Sequence, residues 1–149
     1  MKIFMGNQPS LQQVQKINFE DVQVVHKNPE IYLLINTLSA MEQGCLITGT
    51  ISPQQEETLL NRYMKSNPNI RIVVYGRNSN DDAIYKKYHQ LTSLGFINVF
   101  LYLGGMFEWL LLQDIYGFEE FPTTTKQLDI LKYKPGQRLN IALLENSLD

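Results

Sequence analysis

Short apolar runs alternate with longer amphipathic segments along this chain. The runs at 31–35, 70–75 and 99–103 are almost continuously apolar and bounded by turn residues, as is typical of strands buried on both faces of a sheet. Apolar residues recur at helical spacing between these runs. Each interval is long enough for a helix and too long for a hairpin, so the pattern predicts an α/β fold with parallel strands.

Capping residues set the expected helix boundaries. Asn18 is a suitable N-cap for a short helix over Phe19–Val25. Ser52 followed by Pro53 predicts the start of a second helix, because proline is favoured at the first helical position. Gly95 lies just past the last apolar position of a third helix and predicts its end.

The charge and the apolar content of the chain argue against nucleic acid and membranes as partners. The 149 residues carry 13 Lys+Arg against 15 Asp+Glu, a net charge of −2, without a basic run that would suit nucleic acid or a membrane surface. The longest strongly apolar stretches, at 31–35 and 107–112, are too short to span a bilayer. We therefore expect a soluble, intracellular protein, cytoplasmic or part of a large assembly, that binds neither nucleic acid nor membrane.

The residues that usually bind metals are scarce. Cys45 is the single cysteine and cannot form an internal disulfide, and His26 and His89 lie far apart in sequence. No structural zinc and no other cofactor is expected. A lone cysteine between buried elements is more often inert than catalytic.

Five segments of the chain match motifs of one known family. The most specific are GFINV at 95–99 and LGGMFEW at 103–109, which join a helix C-cap, a buried strand and a Gly-Gly turn before an aromatic helix. Weaker matches are LINTL at 34–38, GCLITGTI at 44–51 and VVYGRNSND at 73–81. Together they resemble the rhodanese-like family, the sulfurtransferase domain shared with Cdc25-type phosphatases, and the resemblance covers about residues 17–121.

The resemblance implies a rhodanese-like α/β fold with a central, mostly parallel, five-stranded sheet and helices on both faces. It divides the chain into an N-terminal extension at 1–16, the rhodanese-like domain at 17–121 and a C-terminal extension at 122–149. The C-terminal extension contains apolar residues at alternating and paired spacing, so we expect it to pack on the domain or on a partner.

The active-site loop implied by the resemblance has lost its nucleophile. Reactive members have a cysteine at the first loop position, where this chain has Gly76, and glycine cannot carry a persulfide. The degenerate loop comprises Gly76, Arg77, Asn78, Ser79, Asn80 and Asp81. Asp81 stands where the family commonly has Arg or Lys, and a carboxylate there would repel an anionic donor. We expect Arg77 to pair with Asp81 or Asp82 rather than to bind an anion.

These features predict a catalytically inactive rhodanese-like module that acts as a protein-interaction or structural subunit, with a protein partner or as a homo-oligomer. The segment 108–116 is apolar nearly all round and needs cover, from the C-terminal extension or from another protein. Alternatives are a sulfurtransferase- or phosphatase-related enzyme that uses Cys45 or a partner's thiol, and an anion-sensing module. The candidate interaction residues are Trp109, Leu112, Tyr116, Phe118, Phe121, Leu128 and Leu131.

Overall fold

A computed structural model of the protein describes the structure of residues 14–139. Its four strands are β1 (Gln15–Ile17), β2 (Tyr32–Asn36), β3 (Arg71–Tyr75) and β4 (Val99–Tyr102). They form one sheet in the order β1-β4-β3-β2, and every neighbouring pair is parallel. The α/β class and the parallel pairing are as predicted.

The predicted number of strands was wrong for the described part of the chain, where the sheet has four strands rather than five. The edge strand β1 was also missed, because its sequence, QKI, is short and mostly polar and gives no apolar signal. An edge strand needs no apolar run, since it is not buried on both faces.

Between residues 14 and 139, four α-helices cover the two faces of the sheet: α1 (Phe19–Val25), α2 (Pro53–Ser66), α3 (Ala83–Leu94) and α4 (Gly105–Tyr116). Helices α1 and α4 bury apolar side chains on one face, and α2 and α3 do so on the other. None of the helices in this part of the chain is both long and apolar enough to cross a membrane.

The predicted helix ends agree with the structure. Asn18 caps α1 in a reciprocal capping box with Asp21, each side chain accepting from the other residue's backbone N–H at 3.1 Å. Helix α3 ends at Gly95, whose φ of 112° lies in the left-handed region that glycine tolerates. The cap at Asn18 follows the carboxyl end of β1, whereas the cap at Gly95 precedes the amino end of β4.

Residues 122–139, called here the C-terminal strap, run back over the domain. Thr123 pairs with Ile47 in an antiparallel bridge, and Thr124 N donates to Leu46 O at 2.8 Å. A 3₁₀ helix at Ile130–Tyr133 then places Tyr133, which is fully buried, beside the carboxyl edge of the sheet. The prediction for the remaining tail, 140–149, lies outside the described residues.

Candidate functional site

The loop at 76–82 follows β3 at the carboxyl edge of the sheet, where ligands of open α/β folds usually bind. The first turn of α4 holds its beginning: Met106 N donates to Gly76 O and Phe107 N to Arg77 O, both at 2.9 Å. This close approach requires glycine at position 105, which has a φ of 64° and whose Cβ would lie 2.6 Å from Gly76 O. The Gly-Gly turn of the sequence motif therefore serves to dock α4 on the loop.

The carboxylate of Asp81 joins the two ends of the 76–82 loop. Its Oδ2 accepts from Arg77 N and its Oδ1 from Ala83 N, both at 3.0 Å. These are the amides at the loop start and at the N-terminus of α3, which would otherwise attract an anion. The chain supplies that negative charge from its own side chain.

No space remains for a side chain at position 76. A Cβ on Gly76 would meet the Asp81 carboxylate, and it would lie 2.8 Å from Thr37 Oγ1 and 3.0 Å from Ile84 Cγ2. Gly76 is itself buried. The position that the resemblance assigns to the nucleophile is thus filled by neighbouring groups.

Arg77 does not pair with Asp81 or Asp82, and that expectation was wrong. Its guanidinium forms an ion pair with Glu42, from the 3₁₀ helix Ala40–Glu42, and also donates to Lys132 O of the strap. The two aspartates were nearer in sequence, but Asp81 is already engaged by backbone amides. Arg77 therefore links the loop to both the 3₁₀ helix and the strap.

The strap closes over the loop through Asn78 and Tyr133. Asn78 is buried, and its Nδ2 donates to Tyr133 O at 2.8 Å, while the Arg77 guanidinium lies 5.4 Å from the centre of the Tyr133 ring. Burial, with a smaller contribution from nearby Cys45, raises the pKa of Tyr133, which Arg77 partly opposes. Two donors of the loop are consequently occupied by backbone oxygens of the strap.

The outer residues of the loop face solvent. Ser79 and Asn80 are exposed, and Asn80 N donates to Asn78 Oδ1 at 2.9 Å. Ser79 forms no side-chain hydrogen bond with another residue of the described range that could activate its hydroxyl. The loop has polar side chains but no assembled nucleophile and base.

Cys45 lies beneath the strap. Only 4% of its surface is exposed, and its thiol donates to Thr125 O at 3.3 Å. The adjoining segment is anchored on β3 by Tyr75, whose hydroxyl accepts from Ile47 N at 3.1 Å and lies 2.7 Å from Thr50 Oγ1. A substrate could reach this thiol only if the strap moved.

The two histidines lie apart and outside the loop. His26 packs edge-on against Trp109, with ring centroids 6.2 Å apart, and its Nε2 is buried without a hydrogen-bond partner in the described range. Burial, and next the charge of Lys27, lower the pKa of His26. His89 is exposed on α3. Across 14–139, histidine, cysteine and acidic side chains form no group of three suited to a metal ion.

Two of the seven interaction candidates are core residues. Trp109 is fully buried, and Phe121 packs on it with ring centroids 5.0 Å apart. Trp109 Nε1 donates to Pro122 O at 3.2 Å, which ties α4 to the strap. The structure therefore removes both aromatics from the candidate surface, because they lie in the core on the face of the sheet that carries α1 and α4.

The other five candidates remain at least partly accessible. Leu112 is half-buried on α4, whereas the remaining four are exposed: Tyr116, Phe118, Leu128 and Leu131. They lie on α4, on the turn after it and on the strap. Accessible apolar side chains therefore occur on α4, on the turn after it and on the strap.

The sequence did not reveal Glu42 or Tyr133 as partners of the loop. Glu42 lies 35 positions before Arg77, and Tyr133 lies 55 positions after Asn78. No sequence motif marks either residue, because each reaches the loop only through contacts formed in the folded protein. The apolar spacing of the C-terminal extension indicated that it covers segment 108–116 or binds a partner, and it gave no sign of a contact with the 76–82 loop.

Comparison with known proteins bears on the architecture of this site. A sequence model of the family described as "Rhodanese-like domain" matches residues 42–112, which include the whole 76–82 loop. Residues 42–112 are thus similar in sequence to a rhodanese-like domain. No curated protein matches the chain.

Solved structures share this rhodanese-like fold at low sequence identity. The Alr3790 protein from Anabaena sp. is 18% identical, with 89% of this chain and 91% of that one covered and a TM-score of 0.51. A full-length protein from Lactobacillus plantarum is 21% identical, with 74% and 88% covered and a TM-score of 0.52. The As-Sb reductase from Leishmania major is 15% identical, with 91% and 98% covered and a TM-score of 0.52. These likenesses concern the fold.

Proposed function

We propose that this rhodanese-like domain is catalytically inactive and serves as a protein-interaction or structural subunit of a larger assembly. The observation that carries the proposal is the placement of the Asp81 carboxylate against Gly76 and across the ends of the loop. A sulfur- or phosphate-transfer site needs a nucleophile and room for an anion at this position. Gly76 supplies no nucleophile, and the Asp81 carboxylate occupies the space that an anion would need.

The strap gives a second, independent support. Arg77 and Asn78 are the loop side chains best suited to bind an oxyanion, and both donate to backbone oxygens of the strap. Arg77 is also neutralised by Glu42. An anion would have to compete with an ion pair and with the packed ring of Tyr133, which disfavours the anion-sensing alternative.

The enzymatic alternative would rest on Cys45. Its thiol is buried, hydrogen-bonded to Thr125 O and covered by the strap. Catalysis there would require the strap to leave its bridge with Ile47 and to expose the aromatic core beneath. The accessible apolar residues beside the strap favour a binding role instead.

A sulfurtransferase assay tests the inactivity. We expect the full chain, incubated with thiosulfate and cyanide, to produce thiocyanate no faster than a blank without protein. Cys45→Ser serves as the matched variant and should give the same background rate. Turnover in the full chain that is lost in Cys45→Ser would overturn the proposal and assign the reaction to the buried thiol.

Restoring the missing side chain alone should not restore the chemistry. In Gly76→Cys the new Cβ would meet the Asp81 carboxylate, whose charge would disfavour a thiolate and repel thiosulfate. We expect no persulfide by mass spectrometry of that variant after exposure to thiosulfate. Persulfide formation on the introduced thiol would contradict the role given to Asp81.

A further inference from the structure

The side of α4 that faces solvent is apolar, whereas a surface helix normally carries polar residues there. Leu111 is 39% exposed, and Ile115, one turn later, is 67% exposed. Phe107, one turn before Leu111, and Leu112 are half-buried beside them. Side chains at this spacing lie next to one another along a helix, so the four form a continuous apolar row, called here the outer stripe.

The C-terminal strap packs against a different side of α4. Leu110 and Gln113 line the groove between α4 and the strap, and Gln113 Nε2 donates to Thr123 Oγ1 at 3.0 Å. Ile115 lies two positions after Gln113, which is about 200° round the helix at 3.6 residues per turn. The strap therefore leaves the outer stripe uncovered within residues 14–139.

The carboxyl end of α4, where the outer stripe ends, is acidic. Asp114 lies in the last turn and Glu119 and Glu120 in the turn that follows, and all three are exposed. The last turn has no basic residue, although the helix dipole favours cations there. None of the three carboxylates takes part in an ion pair among residues 14–139, and the cation that shares the strap-side groove with Asp114 is Lys126. Three carboxylates against one ammonium leave this end of α4 negative.

These charges disfavour a second copy of the chain on the outer stripe. In a two-fold contact, parallel α4 helices would bring the two acidic ends together. Antiparallel helices crossing at Leu111 would set Asp114 of one copy against Glu108 of the other, and Glu108 is also acidic. Anionic lipids and nucleic acids would meet the same carboxylates. A cationic partner is the occupant whose charge is complementary to this surface.

We propose that the outer stripe of α4 binds an amphipathic helix of another protein, one whose apolar row is flanked by Lys or Arg. This inference rests on the interaction role proposed above and names the chemistry of the partner. A helix fits the stripe because its side-chain ridges pack between those of α4 along the same line. The basic flanks face Asp114, Glu119 and Glu120 and so fix the orientation of the bound helix.

Two synthetic amphipathic peptides of ~18 residues, about five helical turns, test the charge of the partner. They share one leucine row and differ only in its flanks, which are lysine in one peptide and glutamate in the other. Fluorescence anisotropy of each labelled peptide with up to ~100 μM full chain measures binding. We expect saturable binding of the lysine peptide and at least tenfold weaker binding of the glutamate peptide. No binding of the lysine peptide, or equal binding of both, would overturn the proposal.

Substitution of an exposed isoleucine tests the place of binding. Ile115→Ser should weaken binding of the lysine peptide at least tenfold, because it removes apolar surface from the stripe. Ile97→Ser is the matched control, since Ile97 is 66% exposed and lies between α3 and β4. Both side chains are exposed, so both variants should fold. Equal affinities in the two variants would contradict binding at the outer stripe.

The acidic end of α4 is tested by removing two carboxylates. Glu119→Gln with Glu120→Gln should weaken binding of the lysine peptide at least threefold and reduce its dependence on salt. The control pair, Glu30→Gln with Glu57→Gln, changes the net charge equally at exposed positions before β2 and on α2. If both pairs weaken binding alike, the peptide responds only to net charge and the proposal fails.

Sedimentation velocity of the full chain between ~1 and ~100 μM distinguishes a second copy as the occupant. We expect no dimer that depends on Ile115. A dimer that Ile115→Ser dissociates would assign the outer stripe to self-association and overturn the proposal. The sulfurtransferase assay reports on the proposed inactivity independently of these results, so either proposal can fail without the other.

Discussion

Single side chains decide what the 76–82 loop can do. Thr37 and Asp81 converge on Gly76, and together they occupy the volume that a side chain there would need. The effect is steric as well as electrostatic, because the nearest atom belongs to a carboxylate held by two backbone amides. A residue larger than glycine must displace that carboxylate from the capping position.

Gly76→Ala should therefore destabilise the protein by about 1–3 kcal/mol, the usual cost of overpacking a filled site. The midpoint of urea-induced unfolding measures this. Gly44→Ala is a suitable control, since a Cβ on Gly44 meets nothing within 4 Å and its backbone is not left-handed. Equal unfolding midpoints for the two variants would contradict this prediction, because they would show that the Asp81 carboxylate can move away from a Cβ at position 76 with little loss of stability.

His26 should make stability depend on pH. Its pKa in the folded protein is lowered, chiefly by burial, so the unfolded chain takes up a proton more readily than the folded one. The resulting stability is present above the ordinary histidine pKa of about 6.5 and is lost as the pH falls toward the folded value.

We expect the unfolding free energy to fall between about pH 7.5 and pH 5.5, on either side of that pKa, and to fall less in His26→Gln. Urea titrations at the two pH values give this difference. His89→Gln, which alters an exposed histidine on α3, should keep the full decrease. The same decrease in both variants would mean that other groups cause it.

At the level of elements, the C-terminal strap stabilises the closed loop. Tyr133 is fully buried, yet its hydroxyl has no hydrogen-bond partner in the described part of the chain. Its contribution is therefore the packing of the ring beneath Arg77 and within the core shared with α4. The Tyr133 hydroxyl contributes no hydrogen bond to stability within the described residues.

Tyr133→Phe should accordingly leave the unfolding free energy within about 0.5 kcal/mol of the original or raise it, because a buried unpartnered hydroxyl is removed. Tyr133→Ala should lower it by about 3–5 kcal/mol, the range for deleting a large buried ring. Urea unfolding of both variants checks the contrast. A large loss in Tyr133→Phe would indicate that the hydroxyl has a partner.

The elements differed in how far the sequence could predict them. Buried strands and capped helices carry local signals, so β2, β3 and β4 and the ends of α1 and α3 followed from apolar runs, Asn18 and Gly95. Strand β1 did not, since a polar edge strand is defined only by its pairing with β4. The course of the strap likewise depends on contacts with distant residues.

The sequence predicted which residues form the loop but not which distant residues contact them. Gly76 and Asp81 could be located by motif, because they lie inside a recognisable strand–loop–helix segment. The ion pair of Arg77 with Glu42 could not be predicted. Asp81 and Asp82 are closer to Arg77 in sequence, but the fold brings Glu42 to its guanidinium. Burial of Trp109 and Phe121 beneath the strap was equally a tertiary effect.

At the scale of the whole molecule, the parallel sheet, which has four strands within residues 14–139, presents its carboxyl edge to a loop that the chain itself closes. The fold is that of a rhodanese-like domain, and the closure comes from Asp81 within the loop and from the strap across it. Single exposed apolar side chains, among them Leu128 and Leu131, lie on the strap. These features are the grounds on which we propose binding rather than turnover as the role of the protein.

The central claim, that the loop is closed to anions, is tested most directly by titrating the ¹⁵N-labelled full chain with thiosulfate and, separately, with phosphate. Amide resonances of residues 77–83 report on the loop. We predict no saturable shift at these amides, because Asp81 and the strap already occupy the donors. Saturable shifts confined to residues 77–83 would contradict the account and show an anion site that the chain leaves open.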